Sequence, residues 1–372
     1  MDEHQGVTPR RAAATALLVA VLAVVASVVA LSAGRSPSVL SAASGGAPGV
    51  LPAAQARPAP ELVGVKDFDG TAPLTLAGLR GRVVLVDFWT YTCINCRRTF
   101  PFLRALSSTY APAGLTVLGV HSPEFGFERS HANVARAVRE LGVTWPVAED
   151  PDMATWSAFG NQYWPADYLL DRQGRVRYLH VGEGGDGEVE NAVRTLLAEG
   201  GSAPGARIGD VVAQGQPGDA SSGLTAETYF GGRRGADFLA GGRAIDDGST
   251  VVRHDGPQRD GLLRLEGRIT GGADSLELGA GAWVQQRLHA RDVYATAAPA
   301  EAPVVLDVTL DGRPVPIGRR GASLRVEGGR TVVTVANDDL LHLLTGPAVA
   351  DGVLRLTART AGARLFTFTY GA

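Results

Sequence analysis

The only two cysteines of the chain, Cys93 and Cys96, lie two residues apart in Phe88-Trp89-Thr90-Tyr91-Thr92-Cys93-Ile94-Asn95-Cys96-Arg97-Arg98-Thr99-Phe100-Pro101. The apolar run Val83–Val86 before them reads as a buried strand, and Cys96 to Ser107 reads as the helix that follows. Cys93 then falls at a helix N-terminus, where unpaired N–H groups and the helix dipole stabilise an anion, which makes it the expected nucleophile. Cys96, about one turn further in and less exposed, is placed to attack a mixed disulfide formed at Cys93 and act as the resolving thiol. The pair therefore predicts a redox-active Cys93–Cys96 disulfide.

Other readings of a lone Cys-x-x-Cys fit less well. A zinc site needs two more soft or imidazole ligands. The nearest candidates, His121 and His131, fall on an expected strand end and helix start with no second cysteine pair, so no metal is expected. A purely structural disulfide closing a two-residue loop constrains little of the unfolded chain. A peroxidatic Pro-x-x-x-Thr-x-x-Cys pattern has its threonine in Thr90 but Val86 where proline is required.

Beyond the cysteines, Asp87 precedes Phe88-Trp89, Pro101 falls five residues after Cys96, and Trp164-Pro165 stands just before the apolar strand Ala166–Leu170. On these residues the chain resembles the thioredoxin superfamily. The resemblance implies a buried carboxylate at Asp87, a helix kink at Pro101 and a cis-proline at Pro165 whose loop shapes the substrate groove and blocks metal binding. It also implies that Trp164, with Trp89 and Tyr91, lines that groove, and that no cofactor is required. Asp87, and second to it Glu124, are the candidate acceptors for the Cys96 proton, and burial would raise the Asp87 pKa into a useful range. Arg97 and Arg98 read as an exposed basic helix face.

The strand and helix order after the dithiol runs strand Leu115–Val120, helix Ser130–Leu141 capped by Ser130, helical stretch Asp152–Phe159, strands Ala166–Leu170 and Arg175–His180, and helix Gly187–Glu199. That order fits a thioredoxin-like α/β sheet. The insert between Ser122 and Pro165 resembles the membrane-tethered thioredoxins of the TlpA type. The phrases Trp89-Thr90-Tyr91-Thr92-Cys93-Ile94-Asn95-Cys96 and Tyr163-Trp164-Pro165-Ala166 are similar to the extracytoplasmic part of DipZ proteins. Those proteins usually carry a multi-helix electron-transfer domain ahead of this part, so the resemblance implies that electrons come here from a separate membrane thiol donor.

At 372 residues, with 45% hydrophobic and 20% charged, the chain can build two ordinary cores, and a net charge of −3 leaves no electrostatic footprint for nucleic acid. Residues 12–33 are an uncharged run of Ala, Val and Leu long enough to span a bilayer of roughly 30 Å, and Arg10 and Arg11 before it place residues 1–11 in the cytoplasm. The segment reads as a single transmembrane signal anchor. Leu31 spoils a cut after Ala33 and Ser41-Ala42-Ala43 is a weaker site, so secretion after cleavage is the alternative. A flexible tether (34–57), the thioredoxin-like domain (58–199), a Gly/Ala/Ser/Pro-rich linker (200–223) and a second domain (224–372) follow.

That second domain shows short alternating runs at Leu262–Ile269, Trp283–Leu288, Pro303–Leu310, Ser323–Val326, Thr331–Val335, Val353–Ala358 and Arg364–Tyr370, the pattern of an all-β sandwich. Its resemblance to the C-terminal domain of DipZ proteins implies a jelly-roll shape like that of carbohydrate-binding modules. Tyr229, Trp283 and Tyr294 are the candidates for a sugar platform, although core positions are commoner for aromatics in a sandwich. The whole points to a membrane-tethered extracytoplasmic thiol:disulfide oxidoreductase, a reductase or redox relay, acting on disulfide-bearing exported proteins. The alternative is a surface protein whose sandwich binds a glycan.

Overall fold

The structure, a computed structural model, describes residues 49–67, 74–208, 223–235, 248–253 and 259–371. The expected anchor at 12–33 lies outside these residues, and among the described residues no helix is long and apolar enough to cross a membrane.

The α/β part is organised around β3 (Val83–Trp89), whose seven residues are all buried. The strands are β1 (Arg57–Pro58), β2 (Lys66–Asp67), β3, β4 (Leu115–His121), β5 (Val147–Glu149), β6 (Ala166–Leu170) and β7 (Arg175–Val181), ordered β1-β7-β6-β3-β4-β5-β2 across the sheet. β3 runs parallel to β4 and antiparallel to β6. Being buried on both faces, it reads as a nearly continuous apolar run, as central strands do. One face packs Val83, Leu85 and Trp89 against α1 (Ile94–Tyr110) and α4 (Asp186–Glu199). On the other, Phe88 meets Phe159, Tyr168 and Trp156 edge-on at centroid distances of 5.2, 5.6 and 5.9 Å.

Helix α1 buries Cys96, Thr99, Phe100, Leu103, Leu106 and Tyr110, a stripe of helical period that anchors it to the sheet. It runs a turn longer than the expected Cys96–Ser107, because Tyr110 is drawn under Glu190 of α4 by a short hydrogen bond. Ser130 stands at the N-cap of α2 (His131–Glu140), as expected, but its hydroxyl makes no capping bond. The short α3 (Ala154–Phe159) is started by Asp150, whose carboxylate accepts from the N–H groups of Thr155 and Trp156 at 3.0 and 2.8 Å.

The described residues after the α/β part form a large all-β domain. Its strands are β8 (Thr228–Tyr229), β9 (Gly248–Arg253), β10 (Leu263–Gly271), β11 (Leu276–Leu278), β12 (Trp283–Ala290), β13 (Asp292–Pro299), β14 (Val304–Leu310), β15 (Arg313–Pro314), β16 (Arg325–Glu327), β17 (Arg330–Val335), β18 (Asp339–Leu344), β19 (Ala350–Ala358) and β20 (Ala363–Gly371). They form one antiparallel sheet folded over a single core of Leu265, Val284, Leu306, Leu356 and Phe368 among others. The bend is made at Gly267 in β10, where φ is +108° and a Cβ would lie 2.7 Å from the Cα of Ala282. Before it β10 pairs with β12, after it with β11. Strands β14 and β19 alternate buried and part-exposed residues and were visible in the sequence. β13 and β18 escaped it because neither alternates: Asp292–Pro299 is buried at six of its eight positions, and Asp339–Leu344 is a short apolar run.

The all-β domain is fastened to the α/β domain. Phe366 packs between Phe125 and Phe127 at centroid distances of 5.2 and 4.7 Å. Arg97 pairs with Asp339 at 2.6 Å, Asn133 Nδ2 donates to Asp338 Oδ2 at 2.8 Å, and Arg98 lies over the Tyr294 ring. Arg97 and Arg98 are therefore not the free basic face expected of them: the second domain covers that end of α1.

Next to Asp87, on β4, Gly119 leaves room for two indoles; a Cβ there would stand 2.8 Å from Trp89 Nε1 and 3.0 Å from Trp145 Nε1. Gly119→Ala should cost about 1–3 kcal/mol by overpacking, read as a lower urea midpoint by tryptophan fluorescence.

Candidate active site

The turn Thr90-Tyr91-Thr92 ends β3 and delivers Cys93 to the N-cap of α1, where its sulfur accepts from the Cys96 N–H at 3.2 Å. Both cysteines are free thiols. They differ in setting: Cys93 is half-buried beside a cavity, and Cys96 is fully enclosed. Burial first, and the adjoining Cys93 second, pushes the Cys96 thiol well above its usual range, with the charge of Asp87 adding to the effect. Cys96 thus needs a group to take its proton before it can attack.

Asp87 is fully buried on the α1 face of β3, and neither of its carboxylate oxygens has a hydrogen-bond partner in the protein. Burial, then the like charge of Asp167, raises its pKa well above the ordinary carboxylate range. Asp167 is its direct neighbour on β6, so the two side chains share a face. Burial, then Asp186, pushes Asp167 up to about 7. On the far side of Asp167, His180 of β7 continues the row. The sequence pointed to Asp87 but not to its partner.

The Trp164–Pro165 peptide is cis. Trp164 packs on Trp156 at 4.1 Å, donates from Nε1 to the Ser122 carbonyl at 3.0 Å and lines the cavity beside Cys93. That cavity, about 260 Å³, is also lined by Thr92, Glu124, Tyr163, Tyr229 and Arg234.

Three expected roles need correction. Trp89 and Tyr91, expected in the groove, are fully buried: Trp89 is wedged against Phe100 and His121, and Tyr91 stacks on His121 at 5.6 Å. Their bulk serves the core beneath the site. Glu124 does border the cavity, but its carboxylate is held by the Tyr229 hydroxyl at 3.0 Å and Arg234 at 2.8 Å, while the charges acting on Cys96 are those of Cys93 and Asp87. His121 is enclosed and its pKa falls to about 3 through desolvation, whereas His131 pairs with Glu149 at 2.6 Å. Among the described residues no cluster of three or more potential ligands could hold a metal.

Two family models match the chain: one described as Redoxin over residues 54–196, and one described as a thioredoxin like C-terminal domain over residues 225–371. Protein DipZ of Mycobacterium tuberculosis is 35% identical over 320 residues, covering 84% of this chain and 43% of that protein. The chain thus spans less than half the length of the DipZ relatives it matches. Thiol-disulfide oxidoreductase YkuV of Bacillus subtilis is 31% identical over 144 residues, covering 38% of this chain and 96% of YkuV. The chain belongs to the thioredoxin-like thiol:disulfide oxidoreductase family.

Within this thioredoxin-like site, Glu128 is a residue that sequence reasoning missed. It sits in the 3₁₀ turn Gly126–Arg129, fully buried. One oxygen accepts from Thr92 Oγ1 at 2.6 Å and Thr92 N at 3.3 Å, the other from Glu124 N at 2.7 Å and Phe125 N at 3.0 Å. Glu128 therefore ties the turn ahead of Cys93 to the loop that bears Phe125. Desolvation, outweighing these bonds, still raises its pKa. The available signal was a glutamate three residues after a loop residue, the spacing of a capping box. The possible sugar platforms are also occupied: Arg234 covers Tyr229 at 3.8 Å, Arg355 covers Trp283 at 4.1 Å and His342 stacks on Tyr294 at 4.5 Å.

Two predictions follow from these buried acids. Glu128→Gln turns amide hydrogens toward two of the four donors and should cost about 1–3 kcal/mol, with a loss of amide-exchange protection at Thr92 or at Phe125. Unfolded aspartate loses its proton near pH 3.9 while folded Asp167 holds it to about 7. The folded state therefore loses stability as pH rises through that window. Asp167→Asn should stabilise the fold more at pH 8 than at pH 4 in urea titrations; an equal gain at both would show that Asp167 ionises normally.

Proposed function

We propose that this protein is a membrane-tethered, extracytoplasmic thiol:disulfide oxidoreductase, a reductase or redox relay, working through Cys93 and Cys96. The observation that carries the reading is the contrast between the two sulfurs: Cys93 faces a cavity at a helix N-terminus, and Cys96 is enclosed on the side of an unpartnered buried carboxylate.

The Cys93 thiolate attacks one sulfur of a substrate disulfide, forming a mixed disulfide and expelling the other substrate sulfur as a thiolate that solvent protonates. Asp87, in its ionised form, then takes the proton of Cys96, its raised pKa making it a stronger base than an ordinary carboxylate. The Cys96 thiolate attacks Cys93 Sγ, the bond from Cys93 to the substrate breaks, and the second substrate thiolate leaves with the electron pair. The substrate has gained two electrons, and the protein holds a Cys93–Cys96 disulfide that a separate membrane thiol donor reduces. Trp164, which precedes the cis Pro165, walls the cavity on the substrate side.

The extracytoplasmic placement rests on the apolar segment 12–33 behind Arg10 and Arg11 and on the likeness to DipZ proteins. With it we assign domain limits of 58–199 and 224–372, a jelly-roll sandwich for the second, and disulfide-bearing exported proteins as substrates. Cys93→Ser should abolish disulfide reduction, and Cys96→Ser should accumulate mixed disulfides through Cys93 on a non-reducing gel. Asp87→Asn should slow release of the mixed disulfide roughly 100-fold while leaving its formation nearly unchanged in rapid-quench measurements. Trapping through Cys96 in place of Cys93 would reverse the assigned roles.

A further inference from the structure

The cavity at Cys93 has two walls from different domains. Thr92, Ile94, Asn95 and Trp164 form one, and Glu227, Tyr229, Arg234, Thr296, Thr367 and Thr369 of the all-β domain form the other. The second wall is a cross-braced unit. The Tyr229 hydroxyl lies 3.0 Å from a carboxylate oxygen of both Glu124 and Glu227, Thr369 donates to Glu227 at 2.8 Å, and Arg234 lies over the Tyr229 ring while pairing with Glu124. Phe366, Asp338 and Asp339 hold this wall down at its edges, through Phe125, Phe127, Asn133 and Arg97.

Space decides what can reach the sulfur. The cavity holds about 260 Å³, below the roughly 300–1,000 Å³ of ordinary ligand pockets. A folded partner needs about 800 Å² of open surface on each side, and on this side of Cys93 the all-β domain occupies that surface. The lining is mixed, with Glu124, Glu227 and Arg234 alongside Ile94, Tyr163 and Trp164, and suits a slender chain carrying both polar and apolar groups.

We propose that the all-β domain is a size filter on the dithiol: Cys93 exchanges with disulfides whose sulfur is carried on a narrow, extended chain and excludes disulfides set in a folded surface. The inference rests on the redox reading of Cys93 and narrows its substrate class. The shared chemistry, a disulfide sulfur on a slender chain, can come from an unfolded polypeptide or from a small-molecule disulfide.

The test uses the full chain with three probes: glutathione disulfide, a disulfide-linked pair of short linear peptides, and native insulin. The wild type should act on at least one of the two slender probes with a kcat/KM about tenfold or more above that on insulin, a discrimination within reach of steric exclusion. Which slender probe is favoured identifies the source of the chain. Phe366→Ala, and separately the milder surface variant Asp338→Ala/Asp339→Ala, loosen the fastening without touching the cavity lining. Either should raise insulin reduction several-fold with the glutathione disulfide rate unchanged. Equal wild-type rates on all probes, or an insulin rate unmoved in both variants, would overturn the filter and leave the dithiol chemistry standing. Failure of the wild type on every probe, including glutathione disulfide, would remove both.

Discussion

Everything at this site depends on the burial of one strand. β3 runs through the centre of the sheet with both faces covered, and it carries a carboxylate, Asp87, into a place where water does not solvate it. That burial costs stability, because an ionised aspartate without partners is strongly disfavoured in a low-dielectric interior. The cost appears as a raised Asp87 pKa, and Asp167 on the next strand adds to the rise by like-charge repulsion. The same enclosure raises the Cys96 thiol. A buried carboxylate with a raised pKa is a stronger base than an exposed aspartate, and in its ionised form Asp87 is the group placed to take the Cys96 proton, so that the second exchange step proceeds without an exposed second cysteine.

The rim of the site is built on the opposite principle, satisfaction of buried polar groups. Glu128 accepts four hydrogen bonds and thereby sets the position of the turn that leads into Cys93. The loop it secures also carries Phe125 and Phe127, against which the second domain docks through Phe366. The position of the nucleophile and the docking of the all-β domain are therefore linked through a single glutamate. Glu124, four residues earlier, does for the outer wall what Glu128 does for the inner one, tying Tyr229 and Arg234 to the rim.

Much of the α/β fold was legible in the sequence because its signals are local. The apolar run of β3, the cysteine spacing and the Trp164-Pro165 dipeptide before β6 each declare themselves within a few residues, and the structure places them together at one end of the sheet. The all-β domain was less legible. Strands that alternate, such as β14 and β19, could be read, while β13 and β18, buried at most of their positions, carry no period-2 pattern to detect. Trp89 and Tyr91 misled because aromatic residues beside a reactive cysteine suit a groove and a core equally well, and only burial distinguishes the two.

By itself the sequence determined which atoms could do chemistry: two thiols in a fixed order along a helix start, and an acid one strand residue away from Phe88-Trp89. The tertiary structure alone decided how those atoms are tuned and who can reach them. Burial, the pairing of Asp87 with Asp167, the two bonds from Thr92 to Glu128 and the wall built from β8, β13 and β20 all arise from residues tens to hundreds of positions apart. Such contacts depend on how whole elements pack, and no local pattern encodes them.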